Sequence, residues 1–404
     1  MYELLAEKHL RYFCLLVILL AFISGALRTS VPLIAVQANL SVSGVSWAQG
    51  LFSIAWPLFG IVVGTILDRQ NKKRLALNAL IIFSVFFVAV LVFSFTTNAN
   101  LLSVFGYSMM AGIIVVSAEA YMMTLPPLLM SGTKLSIFYS MVLFLDFGFS
   151  YFIGPVIASV ALAASSTLFY AIIIVTFLVA VFLVGKAIPA LPINNQTAIT
   201  FQYILAGFRF IFSNPHLSAL TILTFFLSVA FGAFLTSFVI FVTGEHYLGL
   251  DPSRYGIMFA AYAFGAMTGA LFIRYVPNAI EVRLAVLLDG LGTAALLIVP
   301  AYVRHVEIVW GTTFLAGFGL SFWFVCITAF RQRLTPAELL GRANSAFRVI
   351  GYAGMPVGSF LVGTLATLFS LELAAAAISG LLLAALIIAL PLLWSADKLA
   401  TQPA

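Results

Sequence analysis

The sequence predicts an all-α integral membrane protein whose twelve transmembrane helices form two six-helix pseudo-repeats. Three observations carry this. Of the 404 residues, 63% are hydrophobic and 8% charged, whereas a soluble chain carries about 25% charged residues. Twelve apolar runs match the roughly 20 residues that cross a bilayer as a helix. One long polar connection divides these runs six and six.

In order, the runs cover residues 11–36, 46–67, 75–95, 100–124, 135–160, 166–188, 217–243, 254–276, 282–303, 308–330, 342–368 and 371–394. Lys and Arg set their orientation, because translocating them is disfavoured and cytoplasmic loops retain them. With both termini cytoplasmic, fifteen of the 19 Lys and Arg residues fall on the cytoplasmic side, among them Arg69, Lys72, Lys73 and Arg74. Only Arg254 and Arg304 fall opposite, and Arg28 and Arg348 lie within spans. The expected location is therefore multi-pass in a cytoplasmic (inner) membrane. The same bias explains the net charge of +6 without a nucleic-acid partner, which would need a basic patch on a solvated domain. Lys8 and Arg11 ahead of an apolar run also fit a signal peptide. That run continues past Arg28 to Val36, however, and its removal would spoil the even count.

Cys14 and Cys326 lie far apart in apolar runs, so no disulfide framework or thiolate metal site is expected. His9, His216, His246 and His305 are scattered near helix ends, and no Gly-rich phosphate loop appears. A membrane-embedded enzyme lacks its catalytic cluster on this reading, and neither cofactor nor metal is called for.

The long connection, Pro189 to His216, opens with Pro189, Pro192 and Asn194-Asn195-Gln196-Thr197. It separates an expected N-terminal bundle, 1–188, from a C-terminal bundle, 217–404, by a cytoplasmic linker, 189–216. Phe201, Ile204, Leu205, Phe208 and Phe212 recur at helical spacing, which suits a short interfacial helix or a loosely packed linker. Across the linker, Gly154-Pro155-Val156 in the fifth span resembles Met355-Pro356-Val357-Gly358 in the eleventh. Two six-helix repeats with a substrate near the midplane between them are a recurrent transporter plan.

Between the second and third spans stands Gly64-Thr-Ile-Leu-Asp68-Arg69-Gln70-Asn71-Lys72-Lys73-Arg74. This resembles the signature of the major facilitator superfamily, with Asn71 where that family usually has Gly, and the resemblance covers essentially the whole chain. It implies a cytoplasmic latch: Asp68 would accept from free N–H groups at the start of helix eleven, near Gly341-Arg342, aided by the helix dipole. Asp68 and Arg69 would then set the balance between inward- and outward-facing states, Arg74 completing the motif. Alternatively, the basic residues only fix topology. The run Phe330 to Arg342, continuing through Arg348 to Pro356 and Gly358, is similar to the macrolide-efflux and enterobactin-exporter branch of drug:proton antiporters. Gly154-Pro155 resembles the antiporter motif of exporters, or is an ordinary kink. The fourth-span stretch Gly106 to Gly112 lacks the Arg common in drug exporters, so proton relays built on it do not carry over.

Five ionisable residues lie within the spans: Arg28, Glu119, Asp146, Asp289 and Arg348. Each costs roughly 2.5–3.5 kcal/mol at a helix centre, so all five are expected to face the interior. Asp146 and Arg28 are expected to pair and titrate as the site alternates between dry and wet, or to form a static ion pair. Glu119 and Arg348 read as inward-side gate contacts, or Glu119 as the titrating group; Asp289 reads as structural. Phe225, Phe231, Phe234 and Phe238 of the seventh span and Phe318, Phe322 and Trp323 of the tenth are candidates for a substrate cavity, though each also suits lipid or core. The resemblance implies a monomeric secondary transporter that exports a small amphipathic, drug-like molecule by alternating access, with protons as the coupling ion. Export of a siderophore or other endogenous metabolite is the second reading; nutrient import and a non-transporting receptor follow.

Overall fold

The computed structural model describes residues 7–96, 100–130, 133–188, 201–275 and 281–400. Among these every regular element is helical: α1 (Lys8–Gln37), α2 (Val42–Ser53), α3 (Ala55–Arg69), α4 (Lys72–Thr96), α5 (Leu101–Thr124), α6 (Pro126–Leu129), α7 (Thr133–Gly148), α8 (Gly154–Ala164), α9 (Ser166–Ala187), α10 (Phe201–Ser213), α11 (Pro215–Thr243), α12 (Pro252–Phe272), α13 (Glu281–Tyr302), α14 (Val306–Phe322), α15 (Thr328–Arg333), α16 (Leu340–Leu368) and α17 (Leu371–Ala400). Two π-helical turns, Phe149–Ile153 and Trp323–Ile327, join α7 to α8 and α14 to α15. Only helices can cross lipid as isolated segments, since each satisfies its own backbone.

Eleven helical stretches among the described residues are long and apolar enough to span a bilayer. They coincide with eleven of the twelve expected runs. The remaining run, 46–67, is a helix interrupted at Ile54. Pro57 accounts for the break: it has no N–H to give to Ser53, four residues back, and its ring crowds that carbonyl. The crossing is thus α2 plus α3, each too short to count alone, which reconciles the observed eleven with the twelve expected.

The helix ends follow local chemistry. Asn71, the departure from the family pattern, accepts from the Arg74 backbone N–H at 3.1 Å and so caps α4. Asn100 and Ser103 form a reciprocal capping box on α5. Asn214 accepts from His216 and Leu217 at the start of α11, with Pro215 in the first turn where its missing N–H costs nothing.

The described chain falls into two compact units, one of Met1–Ala38, Leu58–Ala198 and Asp251–Ala260, the other of Asn39–Pro57, Ile199–Leu250 and Ala261–Ala404. Each therefore takes in a short piece from the opposite half of the sequence. In the first unit, a side chain at Gly256 would collide with the Pro155 carbonyl, and Ser159 donates to the Ser253 carbonyl at 2.9 Å. In the second, α2 packs on α16: Trp47 lies 4.8 Å from Phe360, ring centre to ring centre, and Gly363 has no room for a side chain beside Ser46.

The Gly-Pro correspondence is structural as well. In the first unit α1 and the α7–α8 helix cross so closely that a methyl at Gly25 would strike the Ser150 carbonyl and one at Gly154 the Phe149 and Phe22 carbonyls. In the second, Gly232 of α11 meets Met355, and Gly358 of α16 meets Val229. Small residues that bring backbones together drive helix association in lipid, where apolar burial cannot.

The first part of the linker, Pro189 to Thr197, lies outside the described residues. Its second part is α10, which packs on the start of α16 with Gly207 against the Arg342 carbonyl. The contact is with protein, so a loosely packed linker does not describe this segment.

Candidate functional site

Within its apolar crossings the first unit carries charged groups on α1, α5 and α7: Arg28, Glu119 and Asp146. Arg28, on the buried face of α1 with 8% exposure, donates from Nη2 to Glu119 Oε1 of α5 at 3.0 Å. Its guanidinium also lies 4.6 Å from the centre of the Tyr151 ring, a favourable placement over a π face. Arg28 was expected to meet Asp146; the carboxylate found against it is Glu119. Helix rotation and the crossing of α1 with α5 decide this choice, and neither is encoded by position along a span.

Asp146 lies within electrostatic range of both Arg28 and Glu119. Ser150, one turn on, places its Oγ 2.6 Å from Asp146 Oδ1 and 3.0 Å from the Ala21 carbonyl. A hydroxyl has a single hydrogen. It is shared between the two acceptors here, and a proton carried by Asp146 and donated to Ser150 Oγ would leave the serine hydrogen wholly for Ala21. Among the described residues of the cluster there is one guanidinium to two carboxylates, so one added proton would make these three groups neutral.

The register that aims Ser150 and Tyr151 inward is set by Pro155. An α-helix would direct the Pro155 N–H to the Tyr151 carbonyl, and proline has none. The chain widens to a π turn instead, with Gly154 N–H bonded to the Phe149 carbonyl five residues back; such bulges recur at functional sites. Sequence reasoning singled out Gly154 and Pro155 but missed Ser150 and Tyr151. The signal was Asp146 and Ser150 four apart on a helix.

The other candidates disperse. The side chains of Gly64, Asp68 and Arg69, the proposed latch, lie outside those the structure describes. Gly341 and Arg342 open α16 beneath α10. Arg348, in the third turn of α16, is exposed and lies 5.5 Å from the ring centre of Tyr352, one turn on. Phe234, Phe238 and Phe322 are sealed in the second unit, Phe234 and Phe238 with ring centres 4.6 Å apart. Trp323 is also buried, whereas Phe225, Phe231 and Phe318 are half-buried, Phe231 against Tyr262 and Phe318 between Phe272 and Phe322. Cys14 and Cys326 are buried in the core and form no disulfide.

Residues 245–404 match the Major Facilitator Superfamily. The chain is 24% identical over 374 residues to the enterobactin exporter EntS of Salmonella choleraesuis (strain SC-B67), covering 88% of this chain and 85% of the relative. It is 25% identical over 368 residues to the EntS of Citrobacter koseri, covering 88% and 84%. Among solved structures it shares the fold of the nucleoside transporter NupG, with a TM-score of 0.70 at 12% identity over 95% of this chain and 99% of the other. It likewise resembles a bacterial homologue of the iron transporter ferroportin in its inward-facing state, with a TM-score of 0.68 at 16% identity over 97% and 99%. A helical fold of spanning length, the signature at Gly64 to Arg74 and these relatives agree: the chain is a multi-pass transporter, not an enzyme, with the fold of the Major Facilitator Superfamily and a match to that family over its C-terminal part.

Proposed function

We propose that the chain is a proton-driven exporter of a small amphipathic organic molecule, and that the buried cluster of Arg28, Glu119, Asp146, Ser150 and Tyr151 is where proton and substrate compete. The observation that carries this is the charge imbalance of the cluster together with the single hydrogen of Ser150 shared between two acceptors. A proton on Asp146 neutralises the cluster and completes its hydrogen bonds. A substrate bringing hydroxyl or ammonium donors does the same job, so the two exclude one another. Exclusive occupancy is the requirement for antiport under alternating access.

In this cycle the substrate meets the cluster from the cytoplasm, the proton leaving Asp146 as substrate donors replace it. On the far side a proton returns to Asp146 and the substrate departs. Arg28 keeps its charge throughout and holds Glu119, so the exchange is confined to one carboxyl. Opening the side remote from the termini requires α2 to leave α16 at Trp47 and Phe360, and residues 251–260 to leave the fifth crossing at Gly256 and Pro155. Both termini are cytoplasmic in this reading, and the exporter works as a monomer in the cytoplasmic membrane.

Similarity to enterobactin exporters favours a siderophore or related secreted metabolite as cargo. A drug-like cargo is the second reading, favoured by the aromatic residues of α11 and α14. The experiment is a parallel measurement in cells overexpressing the chain, with and without a protonophore: catecholate in iron-starved culture medium, and retained ethidium. Raised catecholate, abolished by the protonophore, supports the first reading; lowered ethidium with unchanged catecholate supports the second. Neither change would reject export of both cargo classes.

A further inference from the structure

The second unit contains a carboxylic acid that the cluster above does not use. Asp289 lies in the second turn-pair of α13, 4% exposed, among Ala285, Val286 and Thr293 on the buried face of that helix. One of its carboxyl oxygens is sealed from solvent and has no hydrogen-bond partner among the described residues. Gly319 of α14 lies directly on the Leu288 carbonyl and the Asp289 amide nitrogen, leaving no room for a side chain between the two helices. One turn further along that helix the π segment Trp323–Ile327 begins, and it too packs against α13.

The helices packed on α13 supply no counter-charge. Their ionisable residues are His216 of α11, Glu307 of α14, Cys326 of the π segment and, in the described part of α17, Glu372; Arg331 and Arg333 follow the π segment, and α13 itself carries Glu281 and Arg283. Among the described residues none gives Asp289 Oδ1 a hydrogen bond. An ionised carboxylate without a partner in so apolar a place is strongly disfavoured, and such a group takes up a proton instead. An intramembrane acid of this kind is a functional site by default, and the wider turn opposite it is the local feature able to admit water.

We infer that Asp289 is a proton-binding site of the second unit, separate from Asp146: occupied in the conformation described here, and emptied when water reaches α13 past the π turn. The step is a simple transfer of H⁺ from the Asp289 carboxyl oxygen to water, with no other bond made or broken. Its part in coupling rests on the proton-driven reading above; the occupancy itself does not.

The test is infrared difference spectroscopy of the purified full-length chain without substrate, comparing wild type with Asp289→Asn near neutral pH. The expected result is loss of one protonated-carboxyl C=O band in Asp289→Asn, present in wild type and unaffected by Asp146→Asn. Asp289→Glu, which keeps the acid but moves it by one methylene, shifts the same band and serves if the Asn variant does not fold. An unchanged protonated-carboxyl region in the folded Asn or Glu variant would overturn the proposal. A band at Asp289 with no proton movement during transport would leave the site standing and defeat instead the proton-driven reading on which its coupling role rests.

Discussion

At the scale of single residues, the account turns on Arg28 and the two acids near it. Arg28 and Glu119 are both largely buried, and removing one partner of a buried pair leaves an uncompensated charge, at about 3–5 kcal/mol. Arg28→Met is therefore expected to lower stability by roughly that amount, and Arg28→Met with Glu119→Gln to recover most of it; denaturation of the purified protein in detergent measures both. Equal loss in the single and double variants would show that Arg28 matters by packing alone. The three charged members of this cluster, Arg28, Glu119 and Asp146, were visible in the sequence as charges inside apolar runs. Which acid meets Arg28 was not, because the choice between Glu119 and Asp146 depends on the rotation of α5 and α7 about their axes. Arg348, counted as an embedded charge, is exposed, which position along a span does not foretell.

At the scale of elements, hydrophobic length made the spans legible to within a few residues, since lipid allows little besides a helix across its core. The two departures both come from proline. Pro57 divides one crossing into α2 and α3, and Pro155 produces the π turn that points Ser150 at Asp146 and Ala21. Pro155→Ala restores the missing N–H, and is expected to relax the π turn toward α geometry and weaken proton-driven transport several-fold while leaving stability nearly unchanged. Flux in proteoliposomes and a thermal melt read the two effects apart. The helix crossings were harder to foresee, because a glycine in an apolar run gives no sign of which backbone it meets. Gly25→Leu, where any side chain collides with Ser150, is expected to lose about 1–3 kcal/mol by overpacking. Gly311→Leu, which faces open space, is expected to be neutral; equal behaviour of the two in a melt would contradict the crossing described.

At the scale of the whole molecule, the resemblance to the Major Facilitator Superfamily was legible from the signature at Gly64 to Arg74 and the twelvefold pattern, whereas cargo and coupling ion are written in no motif. They depend on which polar groups converge, and residues 91 apart, such as Arg28 and Glu119, are brought together only by the fold. Alternating access also predicts that bulk at the sites where α2 meets α16 and residues 251–260 meet the fifth crossing impedes closure. Gly363→Leu and Gly256→Leu should each raise labelling of a cysteine placed at Trp47 by a membrane-impermeant maleimide, and unchanged labelling would contradict that assignment. The central claim is that proton and cargo exchange at Asp146. Its most direct measurement is proton release from proteoliposome-reconstituted protein on adding cargo, read by a pH-sensitive dye for wild type and Asp146→Asn. The account predicts release by wild type and none by Asp146→Asn, with cargo exchange in the absence of a pH gradient retained; equal release by both would contradict it.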